Sequence, residues 1–228
     1  MAAKSKQSIA QQLHDAQLII SNSLSDHEIQ DLVSVFGYSA ERLNAAKELY
    51  NAALTAFTMQ KAKAGAQQQS TRMLAEAEAT ARDAYQALAK VARAVFIKDK
   101  AQLAALGLTG REPENLTGFL TAAYTLFDNA PNLPVLAEYG YGADKLQAER
   151  GRISSLDQAN KQQEAAKGAA QQATCDRDAA LRILNDWVSQ YRKIARVALR
   201  KKKQLLEKIG LVARTSKSSP PAPADKNS

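Results

Sequence analysis

A chain of 228 residues with 45% hydrophobic content is long enough to bury a core, yet much of that fraction is alanine. One Trp, five Phe and seven Tyr leave few side chains of large burial area, and the composition describes helices packed closely through small residues. The single Cys175 excludes an intrachain disulfide and a cysteine-based zinc site, and the net charge of +8 is local, because the segment from Gln190 to Lys217 carries +9 and leaves −1 for the rest.

The opening "MAAKSKQSIAQQLHDAQLII" never gives an apolar run of signal-peptide length, and no run of about 18 apolar residues follows. With one cysteine, this points to a reducing, cytoplasmic setting. Ile9, Leu13, Ala16, Leu18, Ile19 and Ile20 predict a short amphipathic helix. In "SNSLSD" the Ser and Asp side chains can cap a second helix that carries Ile29, Leu32, Val33 and Phe36. Gly37 supplies a left-handed position after it, Tyr38 folds back as its apolar partner, and Ser39 caps what comes next.

From about Ser39 to Leu106 there is no proline. Leu43, Ala46, Tyr50, Ala53, Phe57, Ala64, Thr71, Leu74, Ala81, Tyr85, Leu88, Ala92 and Val95 recur near multiples of three and four, and their 3.5-residue phase holds across Gly65. A loop at the glycine would break that phase. The spacing therefore predicts one long helix with a polar, glycine-relaxed centre, spanning roughly 100 Å at 1.5 Å per residue. The competing picture bends the chain at Gly65 and again at Gly168 into a compact antiparallel bundle. "LGL" (Leu106 to Leu108) reads as a Schellman cap that ends the long helix.

The second half repeats the first. "FGYSAERL" (Phe36 to Leu43) aligns with "YGYGADKL" (Tyr139 to Leu146), Gly65 with Gly168, and "KVARAVFIKDKAQLAALGL" (Lys90 to Leu108) with "KIARVALRKKKQLLEKIGL" (Lys193 to Leu211). No gap is needed over an offset of about a hundred residues, and roughly a third of the paired positions are identical, which predicts a tandem duplication. Leu116, Phe119, Leu120, Ala123, Tyr124 and Phe127, then "DNAPNLP", then Val135, Leu136, Tyr139 and Gly140 echo the first hairpin. A second proline-free stretch runs from about Ala143 to Ile209 and closes on "IGL". The expected fold class is all-α: helical repeats over 1–110 and 111–214 forming one structural unit, with long antiparallel coiled-coil-like helices about a pseudo-two-fold axis and short helical hairpins at the ends. The proline-rich residues 215–228 are expected to be disordered.

Candidate sites are few. His14 beside Asp15, and His27 between Asp26 and Glu28, lack the i, i+4 spacing of metal ligands and read as solvated or capping residues. No triad or paired carboxylate is recognisable, so no catalytic, cofactor or metal residue and no small-molecule substrate is expected. "GLTGREP" (Gly107 to Pro113) follows a helix rather than a strand and reads as a linker, not a phosphate loop. Gln60, Gln67, Gln68, Asn160, Gln163, Gln171 and Gln172 form a polar central layer, suited either to specifying register or to a solvated face. Cys175 just after it reads as a small packed residue.

The basic segment is the best candidate surface. Arg192, Lys193, Arg196, Arg200, Lys201, Lys202, Lys203 and Lys208 form a candidate anion-binding set. Lys193, Arg196, Arg200 and Lys203, spaced three, four and three, are expected on one helix face. Such a stripe suits nucleic-acid phosphates or an anionic membrane, although with only Trp187 and Tyr191 upstream it lacks the aromatics for base stacking.

The phrases "AAKGAAQQAT", "KIARVALR" and "LLEKIGL", the "YGY" corner and the duplication together resemble a group of uncharacterised bacterial all-helical proteins. The resemblance spans nearly the whole chain apart from the tail. It implies the architecture and carries no reaction, ligand or site residue. The expected function is that of a non-enzymatic structural or scaffolding protein acting through helix–helix contacts, as a homo-oligomer or with another helical protein. The alternative is binding of nucleic acid or an anionic membrane through the basic C-terminal helix.

Overall fold

The computed structural model describes residues 7–211; the expected disordered tail, with Arg214 and Lys217 of the basic segment, lies outside the described residues. Among these residues the fold is all-α, with no strand. Its helices are α1 (Ile9–Ser25), α2 (His27–Ser34), α3 (Ala40–Val95), α4 (Lys100–Ala105), α5 (Leu116–Asn129), α6 (Ala143–Ala198) and α7 (Lys203–Lys208). Two 3-10 segments, Ala130–Asn132 and Pro134–Tyr139, stand between α5 and α6.

Local chemistry sets most of the boundaries. The Ser8 hydroxyl accepts from the Gln11 N–H to start α1, and the Asp26 carboxylate accepts from the Ile29 N–H to start α2. After α2, Gly37 takes φ 81°, its N–H donates to the Ser34 carbonyl, and the Tyr38 N–H donates to the Val33 carbonyl. That pair of bonds is a Schellman corner, and Tyr38 is buried beneath it. Gly140 repeats the corner at φ 83°, with the Tyr141 N–H bonded to the Leu136 carbonyl. Phe36 and Tyr139, read as apolar helix residues, instead stay 44% and 56% exposed, because each directly precedes its corner glycine and the buried place falls to the tyrosine after it. The prolines at the starts of both segments make the second arm of the later hairpin 3-10 rather than α.

The long helices α3 and α6 have 56 residues each and run without a break through Gly65 and Gly168. A Cβ built on either glycine meets nothing within 4 Å. Both helices end earlier than the glycine caps suggested, at Val95 and Ala198. The chain turns there to send Leu106 and Leu108, and likewise Leu206, Ile209 and Leu211, into buried positions. Asp99 caps the restart at α4 by accepting from the Gln102 N–H at 3.1 Å, whereas Lys202 starts α7 without a side-chain cap. The Schellman bonds at Gly107 and Gly210 therefore close α4 and α7, through Leu108 N–H to Leu103 and Leu211 N–H to Leu206.

The long helices pack together, and the chain divides into two compact units. One takes residues up to Met59 and from Thr174 onward; the other is Gln60–Ala173. In the first, Leu43, Ala46 and Ala53 of α3 share a core with Leu184, Val188 and Tyr191 of α6, covered by Ile19, Ile20, Ile29 and Val33 of the short helices. Tyr38 and Trp187 meet edge-on at 5.8 Å, and Trp187 stacks on Tyr191 at 5.0 Å. The buried Tyr191 hydroxyl donates to Ser23 Oγ at 2.6 Å, which donates to the Ile19 carbonyl at 2.7 Å. In the second unit, Tyr85, Leu88 and Ala92 of α3 pack with Ile153 and Leu156 of α6 around Phe119, Leu126 and Phe127 of α5.

The polar layer is thinly covered. Gln60, Gln67, Asn160 and Gln163 are half-buried, and Gln68, Gln171 and Gln172 are exposed. Cys175 is exposed, not packed: Ala173 holds the buried position, and two residues on a helix rotate the side chain by about 200° away from it.

Gly65→Ala is expected to raise stability by up to about 1 kcal/mol, since alanine suits an open helical site better than glycine. Gly140→Ala is expected to lower it, because an L residue is strained at φ 83°. Urea unfolding of the two variants checks both signs; a destabilised Gly65→Ala protein would contradict the continuous helix.

Candidate anion-binding surface

The basic segment does not lie on one helix face. Arg192, Lys193 and Arg196 belong to the last turns of α6, Arg200, Lys201 and Lys202 to the turn after it, and Lys203 and Lys208 to α7. The three-four-three spacing fails because α6 stops at Ala198 to bury Leu199 and Leu206.

The eight cations fall into two groups. Three meet carboxylates of the N-terminal helices: Lys208 Nζ lies 2.7 Å from Asp26 Oδ2, Lys202 pairs with Glu28, and Arg192 Nη2 stands 3.6 Å from Asp15 Oδ2. These pairs tie α7 and the end of α6 to α1 and α2. The other five, Lys193, Arg196, Arg200, Lys201 and Lys203, are exposed and form no ion pair among the described residues. Lys201, Lys203 and Arg200 line an open depression of about 540 Å³ beside Glu28. Arg192, Lys193 and Arg196 line a separate groove against α1. Sequence reasoning missed this partition because the three acidic partners stand more than 170 positions away along the chain.

The electrostatics follow. The Lys208 ammonium, with the Ile29 N–H, holds the Asp26 carboxyl below its ordinary value. Partial burial pushes the Asp15 carboxyl up, but the Gln11 and Gln7 amides and Arg192 outweigh that and leave it lowered. The aromatics near the segment are committed internally: Tyr191 is buried, and Arg42 covers the Tyr38 ring at 4.2 Å.

The other sequence candidates separate cleanly. His14 and His27 are exposed, and Asp26 caps α2. The "GLTGREP" segment forms the passage from α4 to α5, where the Glu112 carboxylate accepts from Arg82 at 2.6 Å. Among the described residues no group of three His, Cys, Asp or Glu side chains is placed to hold a metal ion, and no helix is long and apolar enough to cross a membrane. Sequence reasoning also passed over Glu149, which is buried at the α6 position aligned with Ala46 and leaves Oε2 without a hydrogen-bond partner. Burial pushes its carboxyl up, with Lys145 and Arg152 opposing.

No protein-family model, curated protein or solved structure matches this chain. What the fold and surface define is an all-helical protein with paired long helices and a basic terminal region.

The carboxyl shifts fix the sign of the acid response. Asp15 and Asp26, lowered on folding, contribute stability that is fully present above their ordinary range and lost as pH falls through their folded values. Glu149, raised on folding, costs stability at neutral pH, and that cost fades as pH falls through its folded value. Thermal unfolding between neutral pH and the carboxylate range is expected to show a shallower acid loss in Lys208→Met than in the parent, and a gain at neutral pH in Glu149→Gln. Parallel curves for Lys208→Met and the parent would remove Asp26 from the account.

Proposed function

We propose that the protein is a non-enzymatic scaffold, a tandem duplication whose long helices pair antiparallel and which works through helix–helix contacts with further copies of itself. The equal lengths and constant register of the two halves support the duplication. Ala40 and Ala143, Val95 and Ala198, Gly37 and Gly140, and Gly107 and Gly210 all stand 103 residues apart by subtraction. The early residues of α3 share a core with the late residues of α6, as antiparallel pairing requires.

The observation that carries the scaffold reading is the outer surface of the long helices. Leu54, Met59 and Met73 on α3 and Ile183 on α6 are 40% to 55% exposed, although alanine fills many of the buried positions. Large apolar groups left outside a small-residue seam are where further helices gain contact area. Sedimentation equilibrium over a concentration series is expected to show mass rising above the 24.7 kDa monomer, and Met59→Glu with Met73→Glu to suppress the rise. A constant monomer mass would end this reading.

A second reading rests on Arg200, Lys201 and Lys203, exposed and without an ion pair among the described residues: contact with a nucleic acid or an anionic membrane surface. Affinity for DNA or anionic vesicles is then expected to fall steeply with salt and to be lost when Arg196, Arg200, Lys201 and Lys203 are changed to Gln. Undiminished binding by that variant would exclude it.

A further inference from the structure

The groove between α1 and the last turns of α6 has a volume of about 350 Å³ and is lined on one side by Ser189, Arg192, Lys193 and Arg196. These four occupy positions i, i+3, i+4 and i+7 and so share one helix face. Opposite them stand Gln12, whose Oε1 accepts from Asn185 Nδ2 at 2.7 Å, and Asp15.

Asp15 does not satisfy the cations. Its two oxygens take the side-chain amides of Gln7 and Gln11, each at 2.8 Å, and the approach of Arg192 Nη2 at 3.6 Å is too long for a hydrogen bond. Arg192 Nε is buried without an acceptor. Buried donors are nearly always paired, so a guanidinium N–H with no partner marks a missing acceptor. Lys193 and Arg196 add two exposed cations with no ion pair among the described residues.

The other unit contains its own comparison. The α3 residues 103 positions before Asn185 and Ser189 are Arg82 and Gln86. Both donate to Glu112, which precedes α5: Arg82 Nη1 to Oε1 at 2.6 Å and Gln86 Nε2 to Oε2 at 3.1 Å. There the place between the long helix and the start of a short one is filled by a carboxylate of the chain itself. The residue 103 positions before Glu112 is Ile9, which brings no charge.

We propose that this groove takes a phosphate group from outside the chain, bound by Arg192, Lys193 and Arg196. Three cations against one carboxylate leave a surplus of two positive charges, which suits a phosphomonoester or inorganic phosphate at about −1.5 to −2 near neutral pH better than a single carboxylate. The Arg192 guanidinium, half-sheltered from water and lining the groove, would meet the phosphoryl oxygens through its Nη N–H groups. The inference depends on neither reading above, since a discrete site needs neither self-association nor a polymer.

The test titrates the full chain with inorganic phosphate at constant ionic strength, following the arginine Nε–H signals by NMR. In parallel, binding is measured to phosphatidylcholine vesicles with and without phosphatidic acid. Saturable binding that is weakened about tenfold or more by Lys193→Gln with Arg196→Gln, and kept by Arg200→Gln with Lys201→Gln, is the expected result. All four residues are exposed, so both double variants should fold. Response to free phosphate identifies a soluble source; response only to phosphatidic acid vesicles, with the same variant pattern, identifies a lipid headgroup. Saturation by neither probe, or equal weakening by the two variant pairs, would overturn the proposal.

Discussion

A 56-residue helix cannot bury its own apolar stripe, and everything else in this protein answers that constraint. Each long helix gains cover from the other and from short helices at its ends. Because Ala46, Ala53, Ala81, Ala92 and Ala195 sit at fully buried positions, the long helices can approach closely, and large side chains concentrate where a third layer is present. Phe119, Leu126 and Phe127 of α5 do this in one unit, and Ile19, Ile20 and Ile29 of α1 and α2 in the other. Gln60, Gln67, Asn160 and Gln163 of the long helices are half-buried, and their amides tolerate water.

The glycine corners make the short helices available as cover. Only a residue free to take positive φ lets α2 stop and α3 begin within five residues, with Tyr38 turned under the corner. The same device at Gly107 and Gly210 folds α4 and α7 back so that Leu108 and Leu211 are buried. Gly65 and Gly168 serve no such purpose; their φ is not positive, and open space surrounds them.

The two units differ in charge. Where Glu112 neutralises Arg82 and receives Gln86, the corresponding place beside α1 has Ile9, Asn185 and Ser189, with cations following along α6. The ion pairs of Lys202 and Lys208 with Glu28 and Asp26 use part of the basic segment to hold α7 against α2. Such exposed pairs are individually weak, so their role is to orient rather than to stabilise. What remains without an ion pair among the described residues is a surface of five cations, part of it shaped into a groove.

The all-helical class, the corners at Gly37 and Gly140 and the passage of the long helices through their central glycines were legible in the sequence. They depend on periodicity and on φ preferences, which act between residues a few positions apart. Other features were not. The long helices end at Val95 and Ala198, without proline or glycine, because burying Leu106 and Leu206 outweighs another turn of helix. Cys175 reads as packed until the rotation of α6 places Ala173 inside instead. The fate of each cation was decided by which carboxylate the fold carried to it: Asp15, Asp26 and Glu28 reach Arg192, Lys208 and Lys202 across more than 170 residues of chain. Local sequence therefore determined the elements and their turning points, whereas the sorting of one basic run into structural pairs and an open groove belonged to tertiary structure, since charge complementarity depends on distance in space and not on distance along the chain.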